Sequence, residues 1–192
     1  MHSSDYKNPT SITRYLAGLF LGILAVSTAS IFIRFAQTEV PSSVIAAGRM
    51  SLATLVIIPF AINSWTKVKP KVSTRTWLLL ILAGVFLGSH FATWITSLEY
   101  TTVASSVVFV TTAPLWVALL SPIFLKEKLT RWIAIGLIFS LLGSFIVGLS
   151  SNCTITRQGV LCSDINNLWS GRYFVGNLLA LAGAFLSGGY IM

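Results

Sequence analysis

Four polar side chains stand at one depth in otherwise apolar runs. Ser27, Arg49, His90 and Thr111 each lie about eight residues, roughly 12 Å of helix, from the ends of their runs that up-and-down threading brings to the same side. A guanidinium, an imidazole that titrates near neutrality and two hydroxyls can bind and release a small solute, and the imidazole suits proton coupling. Helical spacing aligns them with further groups: Ser30 and Arg34 with Ser27; Trp94 and Ser97 with His90; Thr101, Ser105, Thr112 and Trp116 on the run that holds Thr111. Trp94 and Trp116, away from the run ends, offer ring faces to a planar or apolar substrate, and packing is the equal alternative. Every one of these residues also has a plainer reading. Ser and Thr in membrane helices bond their own backbone or a neighbouring helix, a lone histidine packs in its neutral form, and Arg34, near the end of its run, snorkels to the interface. Arg49 lies deeper, where a cation must find a partner, carbonyls or water. Glu99, at the same mouth as Arg34, is a candidate to pair with it as a gate.

The run that carries Thr111, from Val103 to Leu125, is uncharged and about 34 Å long as a helix, against a hydrocarbon core of about 30 Å. Pro114 near its middle removes a backbone donor and crowds the carbonyl of Val110, which must be re-satisfied where there is no water. Thr111, Thr112 or another helix are the candidates. A kinked, polar span is worth its cost in stability where it lines a cavity or pathway.

These runs dominate the chain. Of 192 residues, 55% are hydrophobic and 9% charged, far from the roughly 25% charged of soluble domains. Six segments are long enough to span a bilayer: 15–35, 42–63, 77–98, 103–125, 132–150 and 173–192. The reading is an all-α integral membrane protein, a bundle of six transmembrane helices in the lipid bilayer. The first run is too long for a signal peptide and lacks a small-residue cleavage site, so it is expected to be retained. The net charge of +8 resides in connectors and forms no basic face with interleaved aromatics, so no nucleic-acid partner is expected.

Charge also orients the bundle. Lys7, Arg14, Lys67, Lys69, Lys71, Arg75, Lys126, Lys128 and Arg131 fall on one side, nine of the thirteen basic residues. The positive-inside rule therefore predicts a cytoplasmic N-terminal tail (1–14) in a multi-pass protein of the cell membrane, inner or plasma. Trp65, Trp77, Trp132, Trp169 and Tyr15 fall where interfacial aromatics belong. The loop 151–172 is then extracytoplasmic and holds both cysteines, Cys153 and Cys162. That compartment permits a disulfide; the alternative is two unrelated loop thiols. Two thiolates without a nearby histidine do not complete a zinc site, so no metal is expected, and no other cofactor. Asn152-Cys153-Thr154 fits the glycosylation sequon, a motif short enough to arise by chance.

LAGLFLG at Leu16–Gly22, LAGVFLG at Leu82–Gly88 and LAGAFLS at Leu181–Ser187 repeat one phrase. Either Leu, Ala, Gly and Phe are merely common in membrane helices, or the chain contains an internal repeat. AVSTASIFIRFAQ (25–37), PSSVIAAGR (41–49), HFATWITSLEYTTVASSVVFVTTAPLWVALL (90–120) and FLKEKLTRWIAIGLIFSLLGSFIVG (124–148), followed by GNLLALAGAFLSGGY (176–190), resemble in order and spacing the EamA-type transporters of the drug/metabolite transporter superfamily. The resemblance implies two five-helix repeats of opposite orientation. Residues 15–150 would be the first, and 173–192 the opening helix of an incomplete second. It also implies a secondary transporter, expected to be an exporter of small metabolites or drug-like molecules by alternating access. The alternative is an incomplete half-transporter, acting as a subunit or an inactive fragment and completed by a homodimer or a missing C-terminal half. An intramembrane protease lacks support, since Ser187-Gly188 has no preceding Gly and His90 is the sole histidine in a span. No nucleotide-binding motif accompanies the chain to drive transport with ATP.

Overall fold

The computed structural model describes residues 9–68, 72–126, 129–150, 153–156, 159–162 and 171–192. Its helices are α1 (Pro9–Ala36), α2 (Ser42–Val68), α3 (Thr74–Tyr100), α4 (Val103–Val110), α5 (Ala113–Phe124), α6 (Arg131–Ser150) and α7 (Arg172–Ile191). Between α6 and α7 lies a short hairpin, β1 (Cys153–Thr156) and β2 (Gly159–Cys162). Among the described residues α1, α2, α3, α7 and the pair α4–α5 are long and apolar enough to cross a membrane. α6 is apolar too, but over Arg131–Val147 it is shorter than these five, so five of the six expected spans have the full length among the described residues.

The fourth run is not one helix. It breaks at Thr111 and Thr112, so that Pro114 falls in the first turn of α5, where its missing N–H has no intrahelical partner to lose. The threonines serve carbonyls other than that of Val110. Thr111 Oγ1 donates to Val107 O and Val108 O at 2.8 and 3.0 Å, and Thr112 Oγ1 to Phe109 O at 2.6 Å. Backbone N–H groups of Thr111 and Thr112 already reach Val107 O and Phe109 O, and the hydroxyls add to them, so these C-terminal carbonyls of α4 are served inside an apolar span, as the medium requires. Pro59, by contrast, lies within a continuous α2. Lys126, at φ 58°, turns the chain left-handed just after α5, the usual way to end a helix.

α3 is the axis of the fold, with α7 its main partner and α2, α1 and α4 around it. A core of Ile33, Ala46, Trp94, Ile95 and Leu98 joins α1, α2 and α3, with Ile45, Phe91, Val103 and Val110 packed against it. Most other large apolar side chains are exposed, including Leu19, Phe20, Leu52, Phe60, Leu80, Phe139 and Phe145. In a soluble protein this would be untenable; in a bilayer those faces meet lipid. Trp65 and Trp77 lie 6.1 Å apart where α2 and α3 adjoin their connector, at the level of an interfacial belt. Trp169 lies outside the described residues.

α7 docks by being small. Gly176, Ala180, Gly183, Ala184 and Gly188 are all buried on it. A Cβ on Gly176 would stand 2.7 Å from both Thr101 Cβ and Thr101 N, and one on Gly188 3.0 Å from Trp116 Cβ. In the echoing phrases Gly18 and Gly84 align with Gly183, and Gly22 and Gly88 with Ser187; all four have nothing within 4 Å, whereas a Cβ on Gly183 would meet Thr93 Oγ1 at 3.2 Å. Close backbone approach is therefore a property of α7, not of the phrase.

The hairpin pairs Cys153 with Cys162 directly across an antiparallel ladder. The side chains of both cysteines, like Asn152, lie outside the described residues. Opposed residues of such a ladder have Cα atoms about 4.5–5.5 Å apart, within the range a disulfide spans. We propose that Cys153 and Cys162 are bonded. Thiol labelling of the unreduced protein is expected to leave both unmodified, and reduction to expose two thiols; quantitative labelling without reductant would refute the bond.

Candidate functional site

The polar groups of the spans sort into three sites. The first is where α2 meets α3. Arg49 reaches from α2 over the rings of Phe91 and Trp94, its guanidinium carbon 4.9 and 5.7 Å from their centroids. His90 stacks on Trp94, with centroids 6.1 Å apart and planes 14° apart, and meets Phe91 edge-on at 4.9 Å. Across the helix interface His90 Nδ1 lies 2.8 Å from Gly183 O. A carbonyl only accepts, so Nδ1 carries the proton in that bond, and the tautomer of a neutral ring is fixed by α7. Gly183 permits the approach: a Cβ there would lie 3.2 Å from Thr93 Oγ1.

Energetics make Arg49 stand out. An arginine at the middle of a spanning helix costs about 2.5–3.5 kcal/mol on insertion scales, and each aromatic face returns about 0.5–2 kcal/mol. The rings answer the charge but accept none of the guanidinium's five N–H donors. Among the described residues no carboxylate, hydroxyl or carbonyl forms a hydrogen bond or ion pair with Arg49. Trp94 is 7% exposed, and its Nε1 is buried without an acceptor among the described residues.

The second site lies at the C-terminal end of α3. Arg34 donates through Nη1 to Leu98 O, and Arg172 Nη2 donates to Glu99 O at 2.5 Å while lying 5.7 Å over the Tyr100 ring. Two arginines, from α1 and α7, thus cap carbonyls left open at a helix end, where cations are favoured. Glu99 turns instead to α2: its Oε1 accepts from the backbone N–H of Ser42 at 3.2 Å and from Ser42 Oγ. A carboxylate at a helix N-terminus is favoured by the same dipole. The expected Arg34–Glu99 pair is therefore replaced by two helix caps, because backbone groups at both ends compete for the same side chains. Gln37 Nε2 binds Ser42 Oγ and Ile95 O, both at 2.7 Å. An open cavity of about 560 Å³ is lined here by Arg34, Gln37, Glu39, Glu99 and Arg172, among others.

The third is a seam of small hydroxyls between α3, α4 and α7. Ser97 Oγ lies 2.6 Å from Ser106 Oγ and donates to Trp94 O at 2.6 Å. Thr101 Oγ1 and Ser105 Oγ both donate to Asn177 Oδ1 at 2.8 Å. Ser97, Thr101, Ser105 and Ser106 are all buried. They tie helices together rather than line a cavity.

Of the four residues aligned by depth, Arg49 and His90 come together, joined by Trp94 from the same face as His90. Ser27 and Thr111 are exposed, Thr111 bonded to its own helix, and Pro114 is exposed beside it. Ser30 and Thr112 are buried. Trp116 packs edge-on to Phe185 at 5.2 Å, its Nε1 buried without an acceptor among the described residues. Phe91, Gly183, Gln37, Ser42, Arg172 and Asn177 were not singled out by depth counting. For Asn177 the signal was present, an amide in an apolar run; for Ser42 it was a helix beginning without a cap of its own.

A multi-spanning helical bundle with a broken span and a cation held on aromatic rings between its helices is a membrane protein with a polar interior of the kind that can serve a solute. The sequence profile of the EamA-like transporter family matches residues 13–149, and the chain belongs to that family. The match ends with α6, so α7 lies beyond it. The chain is 32% identical over 133 residues to mouse (Mus musculus) solute carrier family 35 member G1, an alignment covering 68% of this chain and 35% of that protein. The chain thus spans about a third of that relative's length. No solved structure matches.

Proposed function

We propose that the chain is a secondary carrier, an exporter of small metabolites or drug-like molecules across the cell membrane, with its N-terminus in the cytoplasm. The observation that carries this reading is the Arg49–Phe91–Trp94–His90 cluster, a charge and three rings inside spans that lipid contact alone would keep apolar. In alternating access, α2 and α7 move relative to α3 on either side of the cluster, and the caps on the end of α3 form and break as the outer mouth shuts and opens. The reading assigns no covalent chemistry and no cofactor. The orientation rests on the nine basic residues of one side.

A second reading is a subunit that needs another bundle, from a second copy or a further half. It is favoured by the half-exposed cation: α3 and α7 enclose the cluster on one side only, and Arg49 is left partly uncovered on the other. Flux in proteoliposomes separates the two. Purified chain is expected to release loaded substrate on its own, with Arg49→Gln and His90→Ala each lowering flux about tenfold or more. Flux by the chain only after a second bundle is added favours the subunit; wild-type flux in both variants rules out the cluster as the pathway.

A further inference from the structure

We propose that the Arg49 cluster recognises an oxyanion, a carboxylate or phosphate group, on a substrate whose body is apolar or planar. The inference rests on the carrier reading and names the class of its cargo.

Three observations point the same way. Arg49 brings a permanent positive charge to the cluster, and its only close partners among the described residues are the faces of Phe91 and Trp94. Those faces fix the guanidinium in space while leaving its N–H donors for something else, and a planar fork of donors matches a carboxylate or phosphate edge. The second observation is that Trp94, whose ring lies under the guanidinium, carries an indole N–H that is nine-tenths buried and without an acceptor among the described residues. It is closed off in this conformation, so a ligand meets it as the helices part. The third observation is that, among the described residues, no carboxylate competes for Arg49. Of the chain's five acidic residues, Asp5, Glu39, Glu99, Glu127 and Asp164, none lies in the interior of an apolar run, and Glu99 is engaged by Ser42.

His90 contributes no negative charge either. Its Nδ1–H is occupied by Gly183 O, which holds the ring parallel to Trp94. Phe91, His90 and Trp94 form a continuous aromatic wall beside the cation. The site therefore presents donors, a positive charge and ring faces, a set that rejects cations and leaves neutral isosteres without a countercharge.

Binding to the purified full chain, followed by isothermal titration, tests this with probes of one shape: benzoate, phenyl phosphate, benzamide and benzylamine. At least one of the two anions is expected to bind saturably, and at least about tenfold more tightly than benzamide or benzylamine. The tighter anion tells carboxylate from phosphate. Arg49→Gln is expected to abolish that preference, Arg49→Lys to retain part of it, and Trp94→Phe to weaken anion binding several-fold while keeping the preference. Equal binding of benzamide or benzylamine, no saturable anion binding, or an unchanged preference in folded Arg49→Gln overturns the proposal. Should Arg49→Gln fail to fold, the wild-type panel and Trp94→Phe decide. Anion binding without flux in vesicles refutes the carrier and leaves the site, whereas flux indifferent to substrate charge refutes the site and leaves the carrier.

Discussion

Gly176→Ala is expected to destabilise the protein by about 1–3 kcal/mol, and Gly176→Leu to detach α7 from the end of α3 altogether. The first added carbon would lie 2.7 Å from Thr101 N and Thr101 Cβ and 2.9 Å from Tyr100 C. Two of those three atoms are backbone at the turn between α3 and α4, so nothing flexible can withdraw. The helices must separate, and the damage spreads because α3 and α7 form the main interface of the fold. Separation at Gly176 also strains the bonds that Thr101 and Ser105 donate to Asn177 Oδ1. Gly84→Ala is the control. That glycine has nothing within 4 Å, and alanine is the better helix former by up to about 1 kcal/mol. Thermal unfolding in one detergent should therefore rank Gly84→Ala at or above wild type and Gly176→Ala well below it. Equal midpoints for the two variants would mean that α7 is not docked through its small face.

That contrast marks what the sequence disclosed. The spans were legible because a bilayer demands long apolar runs and drives charge into the connectors; the geometry of proline pointed to a kink in one helix at Pro114, where the chain instead breaks into α4 and α5. Rotation of each helix about its axis was not legible. In a soluble bundle the buried stripe announces itself by its polarity; here lipid-facing and protein-facing sides are both apolar, and the glycines of α1 and α3 look like those of α7 until packing separates them. Depth counting therefore put Ser27 and Thr111 level with Arg49 and His90 without telling that the first two face outward. The partners of Arg34 and Glu99 were hidden for a different reason. Charge complementarity suggested that they pair with each other, whereas the open backbone groups of α2 and α3, invisible as side-chain chemistry, took both.

Asn177 gives the second large effect, because one oxygen holds the corner of three helices. Its Oδ1 accepts from Thr101 Oγ1 on one side and Ser105 Oγ on the other, each at 2.8 Å. An amide oxygen has two lone pairs, so its capacity is filled. Both donors are buried, Thr101 at 3% and Ser105 at 0% exposure, and no water replaces a lost acceptor there. Hydrogen bonds between membrane helices are worth about 0.6 kcal/mol on average and up to about 1.7. Asn177→Leu is accordingly expected to cost about 1–3 kcal/mol. The upper end is reached only if the stranded hydroxyls cannot turn back to carbonyls of their own helix, as serine and threonine often do. A cycle with Thr101→Val separates the bond from the change of shape: the coupling between the two substitutions should be about 0.6–1.7 kcal/mol. Additive losses would show that Asn177 acts by volume alone. The loss should also be felt at the cluster. Asn177 stands near the start of the helix whose Gly183 carbonyl holds His90, so loosening its N-terminal turn lets that carbonyl drift. A carrier that depends on the fixed imidazole should then lose flux in Asn177→Leu at temperatures where the protein remains folded, and an Asn177→Asp variant, which keeps an acceptor in place, should lose less.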